Sequence, residues 1–447
     1  MGRVGIIGGG PGGSTAAAAL AEAGHEVVLF EASAHPRHHV GESLQPASLN
    51  LLDKRFGVGP ALRDAGFGRK YGAVYVWGES PEPWNVLFDQ RLDDALPSLS
   101  EDALLAGDYE HAYNVDRAVF DSILFDMARA EGADVREHHR VTGVATGPAR
   151  WRETPTVTSL TVQGPDGPTE EVFDFVIDAS GQSCLLGRTF GLSEPVPDLR
   201  CTATYGYWSG AGGLPGPLSR HVQYVHSFDG GWVWFIPNGG DRTSIGVVAD
   251  RSKAFSEAEY RQILADVGLP FADDAELLPL SDVPGLQGRG SLVFARDWSF
   301  SHSAFAGDGW LLLGDAACFV DPILSGGVDF AIRNGLRAAI AVDAILAKDS
   351  ALPTTAARLG AYESQLRREY EAYLSMARYW YGNNRSVDGL FWIAKQAVPR
   401  ESAETPLRAF VYLTTGRYAA DRYFKVFDRR QEERMFEAMG VDKKALR

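Results

Sequence analysis

The chain has 447 residues, with 43 Lys and Arg against 58 Asp and Glu, a formal charge of −15. At about 150 residues per domain this suggests roughly three structural units, and an acidic chain with 45% apolar residues is neither disordered nor a general nucleic-acid binder. No apolar run of about 18 residues marks a membrane span, the opening MGRVGIIGGGPGG lacks the parts of a secretion signal, and three cysteines without metal or redox spacing (Cys184, Cys201 and Cys318) fit a reducing cytoplasm with no disulfide framework.

In chain order, 3–7 is a short apolar run that predicts a buried strand. The Ala-rich segment 11–23, stopped by Gly24, predicts a helix. A second strand, 26–30, completes a βαβ unit and is followed by Glu31. A helix is expected at 46–56, an alternating strand at 70–77, and a long Pro-, Asp- and Ser-rich loop at 78–111. An amphipathic helix at 116–130 closes on Gly132, and short strands follow up to 177. Between 200 and 248 the text becomes β-type, with Trp, Tyr and Val alternating with small residues, which predicts an antiparallel sheet. A short helix at 256–267, a buried strand at 310–313 and a long helix at 327–347 come next. Everything after 350 reads as helical and carries many aromatics.

Gly8, Gly10 and Gly13 spell G-x-G-x-x-G between the first strand and the first helix. The first glycine serves a tight turn, the second lets backbone approach a pyrophosphate, and the third lets helix and strand pack closely. The free N–H groups of the helix start favour a phosphate there. Glu31 ends the next strand, where an acid holds a ribose hydroxyl. These residues predict a dinucleotide site without separating NAD from FAD. At 310–317 a buried strand runs into Gly-Asp. Asp315 there either accepts hydrogen bonds from a sugar-like polyol or caps the following helix.

Together with Val-Ile-Asp-Ala-Ser-Gly at 176–181, these segments resemble the FAD-dependent monooxygenase superfamily, whose fold is that of para-hydroxybenzoate hydroxylase. The resemblance implies FAD, with its ADP part on the fingerprint, its ribityl chain on Asp315, and Arg117 near the flavin. It implies an α/β architecture in three parts: a discontinuous Rossmann-like FAD-binding domain (1–77, 110–190 and 300–347), an antiparallel-sheet substrate domain (78–109 and 191–299), and a helical C-terminal region (348–447). No second glycine fingerprint for a nicotinamide cofactor is visible. That is compatible with members receiving reduced flavin (FADH2) from a separate flavin reductase.

Three further segments, Gly41-Glu42-Ser43, Lys70 and the W-x-W-x-I-P of 232–237, resemble the two-component flavin-dependent halogenases. Trp232, Trp234 and Ile236 share one strand face. They either fill a sheet core or form a wall beside the flavin that a halide passes and an arene does not. On a strand, Lys70 shares its face with Gly72, Val74 and Val76. It is either a solvated lysine or one whose amine is desolvated and shifted to lower pKa. The resemblance implies the second, with Lys70 as the catalytic residue that captures or orients hypohalous acid made at the flavin. It also implies a chloride or bromide site on the backbone amides of Gly326 and Gly327, although these glycines alone equally serve close packing of a flavin ring.

Free-tryptophan halogenases carry a glutamate where this chain has Leu324. The resemblance is therefore to the branch acting on phenols or pyrroles, free or tethered to a carrier protein. Arg367, Arg368 and Arg378 form a candidate basic patch for such a carrier. The C-terminal aromatics are expected to cover the substrate site, to pack on the domain or to form a homodimer surface. The expected partners are thus a flavin reductase and a small aromatic substrate, in a setting such as antibiotic biosynthesis, with no metal, nucleic acid or membrane. Two rival readings share the motifs: a hydroxylase or reductase working directly at the flavin, and a non-catalytic flavin-binding partner.

Overall fold

The computed structural model describes residues 1–77, 83–151, 154–249, 254–269, 274–296, 298–347, 355–382 and 411. The short apolar runs become one parallel sheet. Its strands lie in the order Trp310–Leu312, Phe175–Asp178, Arg3–Ile7, Glu26–Phe30 and Asp134–Arg136, with Ala306–Gly307 antiparallel at one edge. Such strands are buried on both faces, which is why they read as continuous apolar runs rather than alternating ones. The helices Pro11–Glu22, Arg117–Ala130 and Gly327–Leu346 pack on this sheet and on one another, sharing its core with Leu20, Phe120, Leu124 and Leu336.

The predicted antiparallel sheet is present and larger than expected. It holds Glu276–Leu277, Thr202–Ser209, Arg242–Ala249, Gly231–Pro237, Gln223–Phe228, Gly72–Val76 and Trp84–Leu87 in that order, with Val293–Arg296 also paired to Thr202–Ser209. Alternation along Gly231–Pro237 divides its side chains. Val233 and Phe235 meet Tyr260 and Leu264 of the helix Glu257–Asp266, whose Ser256 and Glu259 form a reciprocal cap. Trp232, Trp234 and Ile236 face the opposite way, into a cluster with Tyr75, Tyr205, Leu324, Met376 and Trp380. Gly246, directly across from Trp234, has no side chain there because a Cβ would sit 2.2 Å from the indole.

Two expectations are corrected by hydrogen-bond partners. The strand expected at 70–77 breaks at Tyr71: Gly68–Lys70 pairs with Ala112–Asn114, whereas Gly72–Val76 joins the large sheet in parallel with Gln223–Phe228. The boundary drawn at 77 therefore separates two strands, Gly72–Val76 and Trp84–Leu87, that are neighbours in one sheet. The expected loop 78–111 is structured where described, with the strand Trp84–Leu87 and the helices Arg91–Ala95 and Glu101–Ala106. Leu92 and Leu104 bury against Tyr71, Leu87 and Val222, and Ser100 accepts from the Ala103 amide to start the second helix. Polar composition concealed these one-turn helices because each buries a single leucine.

The C-terminal helix Thr355–Gly382 docks on Gly327–Leu346 through buried charge. Glu369 pairs with Arg333 at 2.9 Å and with Arg337. Arg333 also holds Asp329 at 2.7 Å. Two arginines of the expected basic patch already carry acids: Arg378 is bidentate on Asp198, and Arg367 reaches Glu363 and the carbonyls of His302 and Ser303. The aromatic segments expected to be helical at 390–396 and 410–413 lie outside the described residues, apart from helical Val411. Cys184, Cys201 and Cys318 are buried, and none of the three is in a disulfide. Among the described residues no helix is long and apolar enough to cross a membrane, and no three His, Cys, Asp or Glu side chains converge as a metal site.

Candidate active site

A cavity of about 810 Å³ opens along the C-terminal ends of the parallel strands, where open α/β sheets bind ligands. It runs from Gly8, Gly10, Gly13 and Glu31 past Arg117 and Asp315 to Gln223, Trp232, Trp234 and Ile236 of the large sheet. The fingerprint is shaped for close approach. Gly8 has φ +103°, and a Cβ on Gly13 would lie 2.0 Å from the Gly8 carbonyl. Gly10 caps the helix Pro11–Glu22 without a side-chain acceptor, so the first helical N–H groups remain for an anion. Glu31 is fixed in that mouth, accepting from the amides of Gly9 and Ser33 at 2.9 Å and from Arg37 at 3.3 Å. These residues fit the two phosphates and the ribose of a dinucleotide.

The middle of the cavity carries the charges expected near a flavin. Arg117 is nearly buried. It forks onto Asp121 at 2.8 and 3.0 Å, and its third nitrogen reaches the Val40 carbonyl at 2.7 Å. Burial works against the Asp121 charge, but the Arg117 guanidinium overcomes it and holds the carboxyl below its ordinary range. Asp315, on the turn after the strand Trp310–Leu312, is pushed up to about 6 by burial, against the opposing pull of Arg117. A row of polyol hydroxyls along this wall would relieve that desolvation. Asp315 lies within the single helical turn Gly314–Ala316, whose N-cap position is held by Leu313 rather than by the aspartate.

The segment 321–327 joins this wall to the helix Gly327–Leu346. Ser325 takes the left-handed conformation, φ +52°, that turns the chain. Gly327 lines the large cavity. Gly326 instead borders a separate void of about 40 Å³ under Tyr373 of the C-terminal helix. Asp321 anchors the turn, accepting from the Ile323 amide at 3.0 Å and, on its other oxygen, from the Tyr381 hydroxyl at 3.0 Å and Trp298 at 3.4 Å. Tyr381 in turn accepts from the Trp232 indole N–H at 2.8 Å. One chain of hydrogen bonds thus ties the last turn of the C-terminal helix to the tryptophan wall and to the glycine turn. Burial pushes Asp321 up to about 6. Sequence reading missed this chain because Asp321, Trp232 and Tyr381 are far apart in sequence and share no motif.

Lys70 is buried, 1% exposed, so the solvated alternative is excluded. Its Nζ donates to the Leu44 carbonyl at 3.0 Å and lies 5.1 Å from the centre of the Phe88 ring. Desolvation lowers its pKa to about 7. Lys70 is not among the residues lining the large cavity; Ser43, next to its acceptor Leu44, is. Ser43 donates to Gln223 Oε1 at 3.0 Å, and Ser325 donates to the same oxygen. With its carbonyl oxygen taken by two hydroxyls, Gln223 offers the cavity its amide N–H groups. Gln45 donates to the Leu324 carbonyl at 3.2 Å. The loop 41–45 is therefore stitched to the large sheet and to the glycine turn. Gln223 carried no signal in the sequence, because it opens an ordinary β-type run.

Comparison with known proteins identifies the arrangement. The family model described as tryptophan halogenase matches residues 3–97 and 94–445. A tryptophan 2-halogenase of Chondromyces crocatus is 30% identical over 409 residues, covering 89% of this chain and 71% of that one. The flavin-dependent halogenase otaD of Aspergillus carbonarius is 31% identical over 363 residues, 77% of this chain and 68% of its own. Among solved structures, the myxobacterial chondrochloren halogenase CndH, described as an FAD-dependent halogenase variant, superimposes with a TM-score of 0.72. The match is at 29% identity, over 100% of this chain and 99% of that one. The chain belongs to the flavin-dependent halogenase family and is an FAD-dependent enzyme of aromatic halogenation.

Proposed function

We propose that this halogenase installs chloride or bromide on an electron-rich phenolic or pyrrolic ring, free or carrier-tethered, and that the buried Lys70 amine delivers the halogen. Flavin-dependent halogenases generally draw reduced flavin from a separate reductase, and this chain is read as doing so. Bound FADH2 supplies the two electrons by which oxygen and halide become hypohalous acid and water. The remaining work belongs to the protein. The fingerprint amides and Glu31 hold the cofactor's ADP end, and Arg117 and Asp315 hold its middle. The turn at Gly326 and Gly327 takes the halide on backbone amides. Trp232 and Trp234 keep an arene from the oxidant's origin. At Lys70 the ring carbon gains the halogen, the ring loses its proton, and the hypohalous oxygen leaves as water.

The observation that carries this reading is the amine itself. A lysine 1% exposed, held near pKa 7 with one carbonyl acceptor, is both a hydrogen-bond donor and a nucleophile at neutral pH. Leu324, standing where a glutamate assists the lysine of free-tryptophan halogenases, supports a ring activated by its own oxygen or nitrogen. The test supplies a reductase, FAD and either halide to phenols, pyrroles and tryptophan, and reads mass and isotope pattern. Halogenated phenol or pyrrole from the wild type, with none from Lys70→Ala while flavin oxidation continues, is the expected result. Unchanged product from that variant would falsify the role of Lys70.

A further inference from the structure

The ladder that carries Lys70 also presents a buried carboxamide. Gly68–Lys70 and Ala112–Asn114 pair antiparallel, with Gly68 opposite Asn114 and Lys70 opposite Ala112. Directly opposed residues of such a ladder project to the same face. Asn114 and Lys70 therefore share one face of this ribbon. Asn114 is also bridged on its other side by Ser43, the residue that lines the cavity and bonds Gln223. The three polar residues Ser43, Asn114 and Lys70 thus lie on three neighbouring extended segments, with Ser43 at the cavity wall and the Lys70 amine returning to the Leu44 carbonyl beside it.

Asn114 is fully buried, yet neither its Nδ2 nor its Oδ1 has a hydrogen-bond partner among the described protein atoms. The neighbouring Gln45 Oε1 is equally unpartnered, although Gln45 is 4% exposed and its nitrogen is engaged. Leaving a buried carboxamide wholly unmatched costs more than any contact its CH2 group makes. A Leu or Val of similar size would fill the same space at no such cost. Lys70 itself uses one protein acceptor for a group that carries up to three donors. Donor and acceptor capacity beyond what the described protein atoms satisfy is therefore concentrated on Asn114, Gln45 and Lys70.

We propose that Asn114 is a binding residue for the oxidant at Lys70: its carboxamide accepts from and donates to the hypohalous acid, orienting the halogen toward the substrate ring. The inference rests on the halogenase reading above and adds a second group to the lysine. A hypohalous acid is small, has one O–H donor and an oxygen acceptor, and matches one carboxamide edge. Asn114 forms no bond to Lys70, so it acts on the oxidant rather than on the amine.

The test compares wild type with Asn114→Ala, Asn114→Asp and Lys70→Ala under saturating reductase, FADH2 and bromide. Each turnover is partitioned into halogenated product and escaped oxidant, the latter trapped in solution by monochlorodimedone. This ratio is set within a turnover and does not depend on how much enzyme is folded. Asn114→Ala is expected to lower the ratio of halogenated product to trapped oxidant about fivefold, the scale of one lost hydrogen bond. Asn114→Asp keeps the shape and adds a negative charge beside Lys70, so it moves the near-neutral inflection of the pH–rate profile upward. Wild-type partition and an unmoved profile in both Asn114 variants, with product lost in Lys70→Ala, overturn the Asn114 assignment alone. Product retained in Lys70→Ala overturns the reading beneath it.

Discussion

Replacing Lys70 with Met is expected to stabilise the flavin-free protein while abolishing halogenation, and the gain should shrink as pH rises. Burial holds the amine at about 7 against an ordinary 10.5. At 1.36 kcal/mol per pH unit, carrying that charge in the fold costs up to about 5 kcal/mol. Between these two values the unfolded chain binds more protons than the folded one, so the wild type gains stability as pH rises through the window. For a single titrating group the penalty is about 4 kcal/mol at pH 7 and about 2 kcal/mol at pH 9. Met fills a similar volume but leaves the Leu44 carbonyl without its donor, an offset of about 1–2 kcal/mol. The net gain is then about 2–3 kcal/mol at pH 7 and near zero at pH 9. Urea unfolding of both proteins at the two pH values reads this directly. A variant less stable than wild type at pH 7, or a difference that does not change with pH, refutes the claim that desolvation sets the state of this amine.

Four other outcomes follow from the same geometry. Gly13→Val puts carbon where the Gly8 carbonyl lies, 2.0 Å from the first added atom, and should abolish FAD binding in a fluorescence titration. Tyr381→Phe removes the hydroxyl between Trp232 and Asp321; product per flavin oxidised should fall while FAD affinity stays at the wild-type value. Glu369→Gln removes the carboxylate charge shared by two buried arginines, leaving Arg333 its bond to Asp329 and Arg337 its bond to Asn334, and should cost about 3 kcal/mol at neutral pH. Although burial opposes its charge, Arg333 and Arg337 hold Glu369 down to about 2, so its contribution is complete above its ordinary 4.5 and is lost as pH falls toward 2. The gap between wild type and variant should close over that range in acid unfolding. Asp315 runs the other way: raised to about 6, it makes the flavin-free protein lose stability as pH rises from about 4 to 6, and Asp315→Asn should flatten that fall.

What the sequence disclosed and what it concealed divide along the range of the physics. The fingerprint, the helix starts and the stripe Trp232, Trp234, Ile236 were legible because each is a local pattern, a turn geometry or a strand period acting over a few residues. The split at Tyr71 was not, because two consecutive strands with the same alternation went to different partners, and pairing is decided by Ala112–Asn114 and Gln223–Phe228 far along the chain. The charge partners were equally hidden. Three arginines read as a patch, yet Arg378 finds Asp198 across 180 positions. The same limit explains the site. A lysine was visible by its family motif, but its burial and the polar residues on the neighbouring segments are set only once Ser43 is bridged to Asn114, 71 positions apart by the residue numbers. The motif residues Gly8, Gly10, Gly13 and Glu31 thus line the cavity through local backbone geometry. The polar side chains around the candidate site, Gln223, Asn114, Asp321 and Tyr381, come from separate elements that meet only when the two sheets close on each other. Variation of substrate and halide among enzymes of this fold should therefore concentrate in such cross-element contacts, and exchanging them as sets, rather than the fingerprint, is what should move specificity.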